Sequence, residues 1–161
     1  MKFEQFLQGV NAEPMTPQTL TDLAVSMPQP QGWVTVPSDG QQAEFEVIRK
    51  NAVQAYQPTA TLLVFKLTGA DFDVNEALKH AFDMAGVIVE QFNGMPSAKI
   101  EATYYEANEQ QVHRYNRILI ATAKSNQRYL VQFSVATSTD PAQEADPDVL
   151  AIIKGFTVAV R

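Results

Sequence analysis

The chain has no cysteine in its 161 residues, which excludes disulfides, thiolate zinc sites and cysteine nucleophiles together. A domain of this size folds without staples inside or outside the cell, so that absence leaves the compartment open. Histidine is scarce too. His80 and His113 are the two present, on separate predicted elements, whereas a histidine zinc site needs three or four converging ligands. With seven glycines, none in a G-x-x-x-x-G-K-[ST] loop or a G-x-G-x-x-G turn, no phosphate cradle is signalled. No serine lies in a G-x-S-x-G elbow. Positive charge is the minority sign: 12 Lys and Arg against 18 Asp and Glu give a net charge of −6 and a pI near 4.8. The densest basic group, His113, Arg114 and Arg117, is too small to displace counterions from a phosphate backbone, so nucleic acid is not an expected partner. No run approaches the ~18 apolar residues of a membrane span, and Met1 to Gly9 lacks the apolar stretch of a signal peptide. As written, the sequence suggests a cytoplasmic protein, or a secreted or envelope-associated one if it is a trimmed mature form.

What is present describes one globular domain over residues 1–161, with 45% hydrophobic and 19% charged residues. Five of its nine prolines (Pro14, Pro17, Pro28, Pro30 and Pro37) fall in the first 37 residues. Proline removes a donor and restricts its predecessor, so residues 1–37 are expected to form an arm packing on the body. Phe3, Phe6, Leu7 and Val10 have helical spacing; Leu23, Val25 and Met27 alternate as a short strand; Gln31-Gly32 turns the chain to deliver Trp33.

Strands are predicted over 43–49 and 59–67, the second so continuously apolar that it should be covered on both faces. A helix follows: Asp73 and Glu76 have capping-box spacing, Val74, Ala77, Leu78, Ala81, Phe82 and Ala85 form its stripe, and Gly86 stops it or Val87-Ile88-Val89 adds a turn. Strands over 98–106, 112–123 and 128–137 are joined by turns too short for parallel returns, which makes them an antiparallel meander. Asp146-Pro147 opens a last helix that Gly155 should end, with a short strand over 157–160. The fold class is α+β, an antiparallel meander with helices on both faces.

Several segments, in order, resemble the mycobacterial LpqN/LpqT lipoprotein family: Gly32-Trp33 after the proline-rich lead, Lys66-Leu67-Thr68-Gly69, Tyr115-Asn116-Arg117, Gln127-Arg128-Tyr129-Leu130-Val131-Gln132 and Ile152-Ile153-Lys154-Gly155-Phe156-Thr157-Val158. The resemblance runs from about residue 20 to the C-terminus. It implies a PsbP-like α/β/α sandwich, an actinobacterial envelope or secreted setting, and no catalytic residues to carry over. Members usually carry a lipobox cysteine; this sequence has none.

For chemistry, Asp71 and Asp73, and Asp140, Glu144, Asp146 and Asp148, lack the spacing and the glycine of a calcium loop; Asp73 and Asp146 fit helix caps, and the others favour the positive end of a helix dipole. No cofactor is expected. The most distinctive surface is the strand face carrying His113, Tyr115 and Arg117, with Tyr105 and Glu101 beside it and Trp33 as a separate anchor; aromatics and arginine are what binding hot spots are made of. The bland reading pairs Arg117 with Glu101 and half-buries the tyrosines. The function expected is a non-enzymatic module for a protein partner or a lipid-like ligand. The alternative is a small hydrolase or isomerase using Glu101 or Asp73 as base between sheet and helix; a secreted protein acting on host cells is a third possibility.

Overall fold

The computed structural model describes residues 9–37, 45–51, 56–69, 72–79, 86–105 and 110–161. Strands β1 (Ala12–Pro14), β2 (Leu23–Ser26) and β3 (Trp33–Thr35) come first, then β4 (Glu46–Lys50) and β5 (Thr59–Leu67). Helix α1 (Val74–Lys79) precedes β6 (Ile88–Phe92), β7 (Met95–Tyr105), β8 (Gln111–Thr122) and β9 (Arg128–Ser138). Helices α2 (Pro141–Glu144) and α3 (Pro147–Gly155) lead into β10 (Thr157–Val160).

The main sheet runs β3-β4-β5-β9-β8-β7-β6, antiparallel at every step. β1 shares an edge of β5 with β4: Thr59 to Leu62 pair with β4, and Phe65 to Leu67 with β1. Pro14 is tolerated there because an edge position does not require its missing N–H. β2 and β10 form a separate two-stranded ladder that joins the two ends of the described chain.

The expected meander is present and one strand longer than the sequence suggested. Gly86 has φ +88, and Ile88 and Val89 belong to β6 rather than to a further helical turn. Asn93 and Gly94 both have positive φ and close the β6–β7 hairpin in two residues. The expected helix from 73 is described to Lys79; Ala81, Phe82, Ala85 and His80 lie outside the described residues, as do Phe3, Phe6, Leu7 and Asp71.

β5 corrects a second expectation. Ala60, Leu62 and Val64 are buried on one face, while on the other Leu67 is buried and Thr61, Leu63 and Phe65 are half-buried, so one face is sealed and the other is partly covered. The described residues are mostly antiparallel sheet with little helix.

Side-chain alternation sorts the core into two clusters. On one face Leu62, Leu119, Val131 and Phe133 pack with Val149, Ile152 and Phe156 of α3, and with Leu20, Leu23, Met27 and Trp33. Phe133 stacks on Phe156 with ring centroids 4.3 Å apart and meets Tyr115 edge-on at 6.0 Å. On the other face Ile118, Ile120, Leu130 and Ala98 pack with Leu78 of α1 and with Val10.

Two glycines of the recognised segments are explained by close approach. Gly69 lies under the Val10 backbone, whose carbonyl accepts from the N–H groups of Thr68 (3.1 Å) and Gly69 (2.7 Å). Gly155 lies against the Pro28 ring. The helix α3 ends at Gly155 as the sequence suggests, without a positive φ there, and the chain leaves through Phe156 in extended geometry.

Candidate functional site

The five residues singled out from sequence do not form one exposed surface. Tyr115 and Arg117 point into the main core, 8% and 5% exposed, because β8 lies well inside the sheet and their face is roofed by α3 and the β6–β7 hairpin. Arg117 is spent internally. Its Nε donates to the Tyr115 hydroxyl (3.1 Å), one terminal nitrogen to Ser97 Oγ (2.8 Å) and the other to Glu90 (3.0 Å). Its guanidinium lies 4.5 Å above the Phe92 ring. The ion-pair partner is thus Glu90, not Glu101, and Lys99 reaches the same carboxylate at 3.7 Å. The Arg117 hydrogen bond is the largest influence holding the Glu90 carboxyl below its usual range.

Trp33 is also buried, and its indole N–H donates to Asp148 at 3.3 Å. That bond belongs to a network at the start of α3. Asp146 caps the helix by accepting from Asp148 N (2.8 Å), and Lys50, the ladder partner of Trp33, holds Asp146 and lies 3.5 Å from Asp148. Burial alone would lift the Asp146 carboxyl; the Lys50 hydrogen bond and the backbone donors of Asp148 and Val149 outweigh it, leaving the group below its usual range. A carboxyl depressed on folding contributes stability above its unfolded pKa of about 3.9 and loses it as pH falls through the folded value. Asp146→Ala should therefore cost about 1–2 kcal/mol near neutral pH, a difference that shrinks below about pH 4. Urea titrations of both proteins at the two pH values check this.

Tyr105 and His113 remain nearer to water. Tyr105 is 75% exposed and His113 half-buried, and the ladders put both at one end of the sheet, Tyr105 across from Gln111 and His113 between Thr103 and Thr137. At that end a cleft of about 580 Å³ is lined by Tyr56, Gln110, Ser138, Asp140, Gln143 and Asp146, with Thr139 and Ala142 completing it. Its wall is pinned. Gln143 is buried, accepting from Ser138 N (2.8 Å) and donating to the Tyr56 carbonyl (2.9 Å), while Asp140 caps α2 by accepting from Ala142 N (2.9 Å). Sequence reading took Asp146 as a cap, which it is, but missed the short helix that Asp140 caps and the cleft they frame, because Tyr56 and Gln110 come from distant loops.

The carboxylate-base alternative loses both of its named groups. Asp73 accepts from Asn75 N (3.0 Å) and Glu76 N (3.2 Å) as the cap of α1, and Glu101 is exposed. Burial pushes up the carboxyl of Glu46, which sequence reading passed over; its ladder partner is the apolar Leu62. Among the described residues no three acidic or histidine side chains converge as metal ligands, and no helix is long and apolar enough to cross a membrane.

A family model described as "Probable lipoprotein LpqN" matches residues 2–159. The chain belongs to the LpqN family. It is 38% identical to the putative lipoprotein LpqT of Mycobacterium tuberculosis over 95% of this chain and 70% of that protein, and 36% identical to LpqT of Mycobacterium leprae over 98% and 76%. The proline-rich 28 kDa antigen of Mycobacterium bovis is 33% identical over 96% of this chain and 52% of its own length. The crystal structure of LpqN, described as involved in cell envelope biogenesis of Mycobacterium tuberculosis, superposes with a TM-score of 0.76 over 99% of this chain and 98% of that one. Their identity is 14%, so that likeness concerns the fold alone. These LpqN-family relatives are named as lipoproteins or antigens, and none supports the cytoplasmic setting suggested by the N-terminal residues.

Proposed function

We propose that this LpqN-family chain is a non-enzymatic binding module of the mycobacterial envelope or its exported fraction, and that its partner is a protein docking at the Tyr105 end of the sheet. In this reading residues 1–37 are an arm of the same domain. The observation that carries it is the cleft between α2 and the ends of β8 and β9, built on hydrogen-bonded walls at the end of the sheet where Tyr105 is left in water. A pre-formed, partly polar recess at the same end of the sheet as an exposed tyrosine suits a protein surface, because aromatic anchors lose little rotamer entropy on docking. An acyl chain calls for apolar walls. Here the cleft's lining, which includes Ser138, Asp140 and Gln143, is polar over about half its surface, and Phe133, Phe156 and Ile152 fill the space between sheet and α3. The names of the relatives support the envelope setting, and that of the structural neighbour points the same way.

The test places a photo-crosslinking amino acid at Tyr105, at Asp140 and, as a control, at the exposed Lys154 in a mycobacterial host. The expected result is one protein adduct shared by positions 105 and 140 and absent from 154. Adducts that do not depend on position would remove this end of the sheet from consideration. A lipid-sized mass retained on the purified protein in native mass spectrometry would replace the protein partner with a carried ligand.

A further inference from the structure

The most exposed regular element among the described residues is the edge strand β6. It pairs with β7 on one side and ends the sheet on the other. Ile88 is 51% and Val89 45% exposed, and among the described residues no strand pairs with this edge. Natural sheets protect such edges with charged side chains, above all lysine, with proline or with a bulge. Ile88-Val89-Glu90-Gln91-Phe92 has no lysine, proline or bulge, and its one charge, Glu90, is engaged by Arg117 and Lys99.

The hairpin fixes which backbone groups face outward. Its two-residue turn closes on Phe92 and Met95, a pair that exchanges both hydrogen bonds. Alternation makes Gln91–Pro96 and Val89–Ala98 non-bonded pairs, and a proline with no N–H fits such a place. The N–H and C=O groups of Val89 and Gln91 therefore point away from β7.

We infer that this edge pairs with the same edge of a second copy of the chain, antiparallel, about a two-fold axis through Glu90. That register sets Val89 against Gln91 of the second copy and Gln91 against its Val89. Every outward backbone group of both strands is then bonded. A one-residue slip sets outward groups against inward ones, and a two-residue slip leaves Val89 or Gln91 facing chain beyond β6. The side chains agree with the same axis. Ile88 covers Phe92 of the second copy on one face, and Val89 covers the stem of Gln91 on the other. The two Glu90 carboxylates meet on the axis, but each arrives with Arg117 at 3.0 Å and Lys99 at 3.7 Å, so two anions sit among four cations. The two main sheets become one continuous sheet, and the isologous contact closes the assembly at a dimer.

Sedimentation velocity of the full chain from micromolar to submillimolar concentration tests this. A concentration-dependent monomer–dimer equilibrium is expected. Val89→Pro should abolish it without changing the circular dichroism, because the N–H it removes is not used by β7. Ile88→Lys on the exposed face should do the same, and carries the test if the proline variant fails to fold. Val89→Cys mixed with Gln91→Cys places facing thiols in a bonded pair, where Cα separation is about 5.5 Å and lies within the roughly 4.4–6.8 Å span of disulfides. The chain has no native cysteine, so an oxidised dimer formed by that mixture and not by Lys154→Cys supports the proposal. A wild-type chain that stays monomeric throughout overturns it, even if a foreign extended peptide adds to the edge. So does a dimer that persists in both β6 variants.

Discussion

Gly69→Ala should destabilise the protein by about 3 kcal/mol or more, read as a lower urea midpoint with an unchanged slope. A methyl at this position would lie 2.6 Å from both the Cα and the carbonyl carbon of Val10, and 2.9 Å from the Gly9 carbonyl oxygen. These are backbone atoms, so no rotamer change relieves the clash. The crossing is held by hydrogen bonds from Thr68 N, Gly69 N and the Thr68 hydroxyl, the last to Asn11 O at 3.2 Å. Forcing it apart would also unseat Val10 from its cluster with Leu67, Leu78 and Ile118. Gly155→Ala is the comparison. Its methyl would meet the Pro28 ring, a side chain that can tilt, so its cost should be smaller. Equal costs at both positions would mean that the Val10 crossing yields more easily than its packing implies.

Arg117→Ala should cost about 3–4 kcal/mol, whereas Arg117→Met should cost less than about 2 kcal/mol, by thermal or urea unfolding. Alanine empties a site packed against Phe92 and Tyr115. Methionine refills much of that volume and leaves no buried charge to satisfy. Glu90 is 39% exposed on its side chain and keeps Lys99, so it rehydrates when the arginine is gone. Glu90→Ala is the harsher half of the pair, because the guanidinium then stays in the core without its carboxylate. If methionine proves as damaging as alanine, the ionic bonds rather than the packing hold the β6–β7 hairpin to the body.

The elements that could be read from the sequence carry their own local chemistry. The β7–β8–β9 meander announces itself through short polar connections between apolar runs, and α3 through Asp146-Pro147, which the structure uses as cap and first residue. β6 was hidden because Val87-Ile88-Val89 continues a helical stripe as plausibly as it starts a strand. The decisive signal was present in Asn93-Gly94, a pair suited to a two-residue turn with positive φ at both positions. The site was harder to read. His113, Tyr115 and Arg117 do alternate onto one face, but whether that face meets water depends on Phe156 and on a hairpin whose Glu90 lies 27 residues from Arg117. Charge and aromaticity suggested a binding surface, while the pairing order of the strands made most of it core. The cleft near Tyr105 was beyond reach from sequence, since its lining joins when β4, β5, β8 and β9 have aligned.

The β2–β10 ladder bears on how the chain reaches this structure. Ser26 and Thr157 touch across it although 131 positions separate them, and β1 must wait for the far end of β5. Closing such loops is entropically expensive and belongs late on the folding route. The hairpins β6–β7, β7–β8 and β8–β9 are local and can zip first, as a platform for β5. During synthesis β2 emerges long before β10 and has no ladder partner until β10 follows. A growing stub that lacks β10 cannot close this ladder, so β2 is among the last of the described strands to be secured.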